Sequence, residues 1–206
     1  MGRALAIEHA EHDFDGGRFF DDLARRVAIP TESQNPERAA ELRRYLVDEL
    51  LPSYGRCGFR CELFDNPVAG AGPLLLAERI EDAAATTVLS YGHGDVIRGQ
   101  DASWRSGLAP WRLQREGDRL YGRGTADNKG QHTINLAAVA AVLATRGCLG
   151  FNLKVLIETG EEVGSPGLKA FCEQQRERLR ADVFIASDGP RLRPEQPTIF
   201  LGSRGA

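Results

Sequence analysis

The chain has 206 residues, of which 42% are hydrophobic and 27% charged, and its 26 basic and 29 acidic side chains give a formal net charge of −3. This composition excludes a disordered chain and predicts one packed domain over residues 1–206. The balanced charge, without a long basic run, argues against binding to nucleic acid or to an anionic membrane surface. The longest strongly apolar run, 136–144, is far shorter than the ~20 residues of a membrane-spanning helix. Small molecules or peptides are therefore the expected partners.

The N-terminus and the cysteines bear on the cellular compartment. Residues 1–13 lack the basic start, apolar stretch and cleavage site of a secretory signal, which favours a cytoplasmic location. The four cysteines are too few and too scattered for a disulfide framework and are expected to be reduced thiols. Cys57 and Cys61 have no second Cys or His pair nearby that would complete a zinc knuckle.

Helix and strand patterns alternate along the chain. Apolar residues at helical spacing predict a helix over 19–27, and Asn35-Pro36 predicts the start of a second helix running towards residue 51. Compact β-prone or apolar runs predict strands over 59–64, 74–80, 86–91, 151–158, 183–186 and 198–201. Further helices are predicted over 128–146 and 166–180. This alternation predicts an α/β sandwich with a mostly parallel sheet, in which ligands lie at the carboxyl ends of the strands.

Acidic residues or a histidine stand at four places where a predicted strand runs out into a loop. They are His93 with Asp95, Asp127, Glu161 with Glu162, and Asp188. In a parallel sheet these strand ends meet at one edge, and the clustered carboxylates would repel one another unless a cation neutralised them. The sequence therefore predicts a metal site at this edge.

Each of these motifs also has a simpler interpretation. His93 and Asp95 are typical of a ligand imidazole held by a carboxylate, but they are also compatible with a plain turn and a capping Asp. The glycine-rich loop 122–130 resembles a phosphate cradle but lacks its third glycine, and Asp127 could be an ordinary helix cap.

The remaining acidic residues leave similar alternatives open. Of the neighbours Glu161 and Glu162, one could bind a cation while the other moves protons, although a surface pair of glutamates is common. Asp188 is also explained as a turn residue.

Four motifs in order resemble those of a known family. They are GHGDV at 92–96, LYGRG leading to DNKG within 120–130, GEEVGS at 160–165 and SDG at 187–189. They resemble the di-zinc metallopeptidase family of aminoacylases, acetylornithine deacetylase, succinyl-diaminopimelate desuccinylase, glutamate carboxypeptidase and carnosinase-type dipeptidases. The resemblance covers roughly residues 29–206. It implies a zinc-exopeptidase-like, three-layer α/β sandwich with a mostly parallel mixed sheet, and a metal-dependent hydrolase that cleaves an amide bond in dipeptides or N-acyl amino acids.

The resemblance also implies a role for each candidate residue. His93 and Asp188 are expected to bind one zinc ion, Glu162 the other, and Asp127 both. Glu161 is expected to be the general base of a zinc-activated water, and Asp95 to orient His93. The Asp127–Asn128 peptide bond is expected to be cis. The same ligands would accept cobalt or manganese.

The sequence departs from the family pattern in one respect. Family members continue into a lid and dimerisation domain and return with a late histidine that completes the second zinc site, whereas no His follows Asp188 here. The expectation is the catalytic half of a longer enzyme, whose full-length form is a candidate homodimer. The segment 104–121 favours the dipeptidase branch. The alternatives are an inactive remnant that binds metal or a partner without turnover, and a two-metal phosphoester hydrolase with only Arg123 and Lys129 near the site.

Overall fold

The computed structural model describes residues 2–189, 192–193, 195–196 and 198–201. The chain begins with helices α1 (Gly2–Asp15) and α2 (Arg18–Val27). A continuous helical segment over 36–56 follows. It consists of a 3₁₀ turn (Pro36–Arg38), α3 (Ala39–Arg44), a π-helical turn (Tyr45–Leu50) and α4 (Leu51–Arg56).

Five strands follow, and after them helices and two further strands of the main sheet. Strands β1 (Arg60–Phe64), β2 (Leu74–Arg79) and β3 (Thr87–His93) precede a small hairpin of β4 (Gln114–Glu116) and β5 (Arg119–Tyr121). They are followed by α5 (Lys129–Arg146), β6 (Asn152–Glu158), α6 (Leu168–Gln174), α7 (Arg176–Leu179) and β7 (Val183–Ala186). Short 3₁₀ turns lie at Asp101–Ser103 and Glu161–Val163.

The main sheet has the strand order β1-β2-β6-β3-β7. Strand β3 runs parallel to β6 and β7, whereas β2 is antiparallel to both β1 and β6. Four strands therefore point one way and β2 the other, which confirms the mostly parallel mixed sheet. The carboxyl ends of β3, β6 and β7 meet at one edge, as the strand-end argument requires.

Helices cover both faces of the sheet and make three layers. Leu75 of β2 and Ile157 of β6 face a core shared with Tyr45, Leu50 and Leu136 of the helical segment and α5. The alternate side chains face a second core on the opposite side, because successive residues of a strand point to opposite faces. That core contains Leu74, Leu76, Leu156, Phe171 and Leu179. Burial on both faces explains why β2 is apolar without alternation.

Two parts of the sequence prediction differ from the structure. The predicted strand over 198–201 is wrong, because residues 198–201 form no strand and the side chains of Ile199 and Leu201 are 84% and 98% exposed. An apolar run becomes a strand only beside a partner strand. The predicted helix over 166–180 is two short helices that end and restart at Gln175.

Two elements were not predicted. Helix α1 has no buried residue and thus no apolar stripe that the sequence could reveal. The β4–β5 hairpin packs Leu120 of β5, together with Leu113 just before β4, against Leu23 and Val27 of α2, a contact between distant segments. No helix of the described residues is both long and apolar enough to span a membrane.

Glu81, just after the carboxyl end of β2, connects this end of β2 to the segment that leads into β6. Its carboxylate accepts hydrogen bonds from the amides of Leu149 and Gly150 and from Nε of Arg79, at 2.8–3.0 Å. These hydrogen bonds, above all the one from the Leu149 amide, keep the pKa of Glu81 below its usual value. Burial acts in the opposite direction but is outweighed. A carboxylate with a lowered folded-state pKa stabilises the fold above its unfolded pKa and loses this effect as pH falls.

Glu81→Gln is therefore expected to lower the free energy of unfolding by about 1–2 kcal/mol at pH 7, since the amide keeps only one acceptor oxygen. The difference from wild type should shrink as pH falls below about 4.3, the ordinary pKa of a glutamic acid, because the unfolded wild-type chain then takes up a proton that the folded chain resists. Urea unfolding at pH 7 and pH 3.5 measures both values. Glu173→Gln, on the exposed side of α6, is the control, and an equal loss at both pH values would contradict the role of the Glu81 charge.

Candidate metal centre

His93 is the last residue of β3 and has no exposed surface. Its Nδ1 lies 3.0 Å from the carbonyl oxygen of Asp95 and 3.3 Å from Oδ1 of the same residue. The other ring nitrogen, Nε2, lies 2.8 Å from Oδ1 of Asp127. A donated Nδ1 proton leaves Nε2 as the metal-binding atom, an arrangement common among ligand histidines.

The predicted carboxylates gather around this ring nitrogen. Carboxylate oxygens of Asp188 and Glu161 lie 3.7 and 3.9 Å from His93 Nε2. Two sets of three residues, His93 with Asp127 and Asp188, and His93 with Glu161 and Glu162, each have ligand atoms within 4.8 Å of one another. The structure thus brings together all of the predicted ligands and the predicted base. The two sets share His93, and the bridging role of Asp127 stays a prediction.

Asp95 organises the loop that follows β6 as well as the histidine. Its carboxylate is fully buried, with Oδ1 accepting the amide hydrogen of Glu161 at 3.2 Å and Oδ2 that of Glu162 at 3.1 Å. One side chain therefore positions the ring of His93 and the backbone of both glutamates. The contact with these two amides joins segments about 66 residues apart and has no local signature in the sequence.

Glu158 is a buried acid that the sequence analysis did not single out. It is the last residue of β6 and pairs in register with His93. Its Oε1 accepts hydrogen bonds from the hydroxyls of Tyr91 at 2.5 Å and Ser165 at 2.8 Å. Burial raises the pKa of Glu158, although these hydrogen bonds act in the opposite direction. Its position at a strand end is the signal by which it could have been found.

The electrostatics of the site favour a bound cation. Burial raises the pKa of Glu161 and Glu162, and neighbouring carboxylates add to this effect. Burial alone would lower the pKa of His93, but the hydrogen bond and charge of Asp95, with the charges of Asp127 and Asp188, raise it to about 9. No lysine or arginine in the described part of the chain forms an ion pair with the four surrounding carboxylates. An imidazole nitrogen and several carboxylate oxygens form a donor set that suits zinc.

The glycine-rich loop before α5 does not present its lysine to this site. Lys129 is fully buried, and its ammonium donates to the carbonyl oxygens of Arg26 at 2.9 Å and Ile29 at 2.6 Å. Its cation also lies over the ring of Tyr45. These bonds direct Lys129 into the domain and weaken the phosphoester alternative. The Asp127–Asn128 peptide bond is cis, as the resemblance predicts.

A three-layer α/β sandwich with a His–carboxylate cluster at the carboxyl edge of its sheet defines a candidate metal-binding α/β domain. Residues 89–200 match the family described as Peptidase family M20/M25/M40, and the chain belongs to this family. The predicted family resemblance is confirmed.

The chain is similar in sequence and structure to several dipeptidases. It is 36% identical over 207 residues to human Beta-Ala-His dipeptidase, covering 94% of this chain and 40% of that protein. It is 30% identical over 201 residues to Cys-Gly metallodipeptidase DUG1 of Candida albicans, covering 91% of this chain and 41% of that protein. The crystal structure of human carnosine dipeptidase 1 matches with a TM-score of 0.83 and 30% identity, over 90% of this chain and 41% of that one. The chain therefore spans about 40% of the length of these relatives.

Proposed function

We propose that this chain supplies the metal-binding and proton-transfer residues for zinc-dependent hydrolysis of dipeptides. The observation that carries the proposal is the cluster of His93 with four carboxylates, none of which forms an ion pair with a lysine or arginine of the described residues. The dipeptidases among the relatives favour a dipeptide over an N-acyl amino acid as substrate.

The side chains divide between two zinc positions. His93 and Asp188 would hold one ion and Glu162 the other, with Asp127 between them. When bound, zinc supplies Lewis acidity, which lowers the pKa of a water molecule and polarises a carbonyl group. Asp95 keeps Nε2 of His93 directed at the ion through its contacts with Nδ1.

Glu161 is the proposed general base. Its carboxylate is 39% exposed and lies beside Nε2 of His93, so it can reach a water molecule in the site. Burial raises its pKa, which brings a carboxylate closer to the neutral range in which a general base works best. Its oxygen accepts the proton of the attacking water and returns that proton to the leaving nitrogen, and no covalent bond to the protein forms.

The zinc content of the purified chain tests this proposal. Elemental analysis should find about two zinc ions per chain in the wild type, with water or a neighbouring chain in place of the missing late histidine at the second position. The content should fall to about one ion in Glu162→Ala, which removes a ligand of that position. Glu173→Ala, on an exposed position of α6, should leave the zinc content unchanged. One ion or none, unaffected by Glu162→Ala, would contradict the two-ion site.

The substrate class is tested by hydrolysis. The zinc-loaded chain is incubated with β-Ala-His, Cys-Gly and an N-acetyl amino acid, and the released amine is measured. Cleavage of a dipeptide with a higher kcat/KM than the N-acetyl amino acid supports the proposal. The reverse order would point to the deacylase alternative.

A further inference from the structure

Asn128 lies at the junction of the three chain segments that carry His93, Asp127 and Asp188. Its side chain is completely buried. Its Oδ1 accepts the amide hydrogen of His93 at 3.3 Å, and its Nδ2 donates to the carbonyl oxygen of Ser187 at 2.7 Å. Asn128 directly follows Asp127, and Ser187 directly precedes Asp188. One amide group therefore connects all three segments.

Neighbouring groups fix the orientation of this amide. His132 Nδ1 lies 3.4 Å from Asn128 Oδ1, and His132 Nε2 lies 2.5 Å from the Tyr45 hydroxyl. Burial lowers the pKa of His132, so its ring is neutral and carries one proton. With that proton on Nδ1, Tyr45 donates to Nε2 and His132 donates to Asn128. A flipped amide would turn its NH₂ group towards the N–H groups of His93 and His132 and its oxygen towards the oxygen of Ser187.

The glycine before His93 leaves room for this amide. A Cβ atom added at Gly92 would lie 2.8 Å from Asn128 Oδ1, which is closer than such contacts normally allow. Gly92 belongs to β3, and the amide of the next residue is the one that donates to Asn128. The glycine of the GHGD motif thus allows the side chain of Asn128 to reach the strand.

The hydrogen bond from Asn128 to Ser187 helps to hold β7, which is an edge strand of the described sheet. Among the described strands β7 pairs only with β3, and the side chains of Val183, Phe184 and Ile185 are exposed. The hydrogen bond from Asn128 and the one from the Ser187 amide to the Tyr91 carbonyl, at 3.3 Å, hold the chain just before Asp188.

We infer that Asn128 is a positioning residue that holds His93, Asp127 and Asp188 at the spacing that a metal ion requires. The inference rests on the proposed metal-binding function and adds a residue that touches no ion itself. Its physical basis is that metal affinity depends on ligands being held in place before the ion binds.

The test measures Zn²⁺ affinity by competition with a chromophoric chelator for wild type, Asn128→Ala and Asn128→Asp. Both variants lose the donor to Ser187, and a 10- to 100-fold weaker affinity is expected. The visible absorption of bound Co²⁺ should also change, because it reports the geometry of the ligands. Gly92→Ala displaces the amide without removing it and should shift affinity and spectrum in the same direction.

Asn152→Asp is the matched control. Asn152 is also buried and bonds to backbone groups, with Oδ1 accepting from the Glu81 amide at 2.7 Å and Nδ2 donating to the Asp82 carbonyl at 2.7 Å. It begins β6, at the end of the sheet away from the site. This variant should lose stability in urea unfolding but keep the Zn²⁺ affinity and Co²⁺ spectrum of the wild type.

The outcomes separate the inference from the proposed function. Asn128 and Gly92 variants that fold and bind Zn²⁺ with wild-type affinity and spectrum would overturn the inference alone. An equal loss of affinity in Asn152→Asp would do the same, because the effect would then follow general stability. A wild-type chain without Zn²⁺ affinity would overturn the proposed function and the inference together.

Discussion

Glu161→Gln is expected to lower kcat for dipeptide hydrolysis by about 10²- to 10⁴-fold while the zinc content stays unchanged. The substitution keeps the size of the side chain and an oxygen towards the site, but the amide cannot accept a proton from water. The backbone amide of residue 161 still bonds to Asp95, so the loop should keep its position. A dipeptide turnover assay measures kcat, and elemental analysis of the same preparation measures the zinc content.

The control for this prediction is Glu177→Gln, on the exposed surface of α7, which should change neither kcat nor zinc content. Loss of zinc in Glu161→Gln would make residue 161 a ligand rather than a base. A kcat close to that of the wild type would remove Glu161 from the proton transfer. KM should change little, because the proposed role lies in the transition state and not in substrate binding.

Much of the fold is readable from local sequence patterns. Residues 74–77 of β2 and 155–157 of β6 are apolar because both faces of these strands are buried, and residues 92–95 follow the β-prone run 86–91. The site follows in part from the same reasoning, since His93, the two glutamates and Asp188 lie at the ends of parallel strands that converge. Asp127 does not fit this argument, because it follows the separate antiparallel β4–β5 hairpin and precedes α5. His93, Asp127 and Asp188 lie together although about 95 residues separate the first from the last.

What the sequence does not reveal depends on contacts between distant segments. Asp95 accepts hydrogen bonds from the backbone amides of residues 161 and 162, and Asn128 donates one to the backbone carbonyl of Ser187. Any residue type could supply these backbone partners. No periodicity or composition marks such a partner. For the same reason α1, which buries no side chain, has no pattern that predicts it. The exposed apolar run 198–201 has the pattern of a strand but pairs with none of the described strands.

Asp127→Ala is expected to remove both zinc ions, because the proposed site places Asp127 between them. Its Oδ1 has the shortest distance to His93 Nε2 of the surrounding carboxylates, 2.8 Å, compared with 3.7 Å for Asp188 and 3.9 Å for Glu161. The zinc content after dialysis should fall close to zero, in contrast to the single ion expected in Glu162→Ala. Asp118→Ala, in the exposed turn of the hairpin, serves as the control and should keep the wild-type zinc content.

The stability of the same variants separates a metal ligand from a structural residue. The side chain of Asp127 is 60% exposed, so its removal should change the free energy of unfolding of the metal-free chain by less than about 1 kcal/mol. Zinc at 100 times its Kd should stabilise the wild type by about 2.7 kcal/mol, because it binds only the folded state. Asp127→Ala should gain none of this stabilisation. A variant that still gained it would bind zinc without Asp127, and the bridging role would then be wrong.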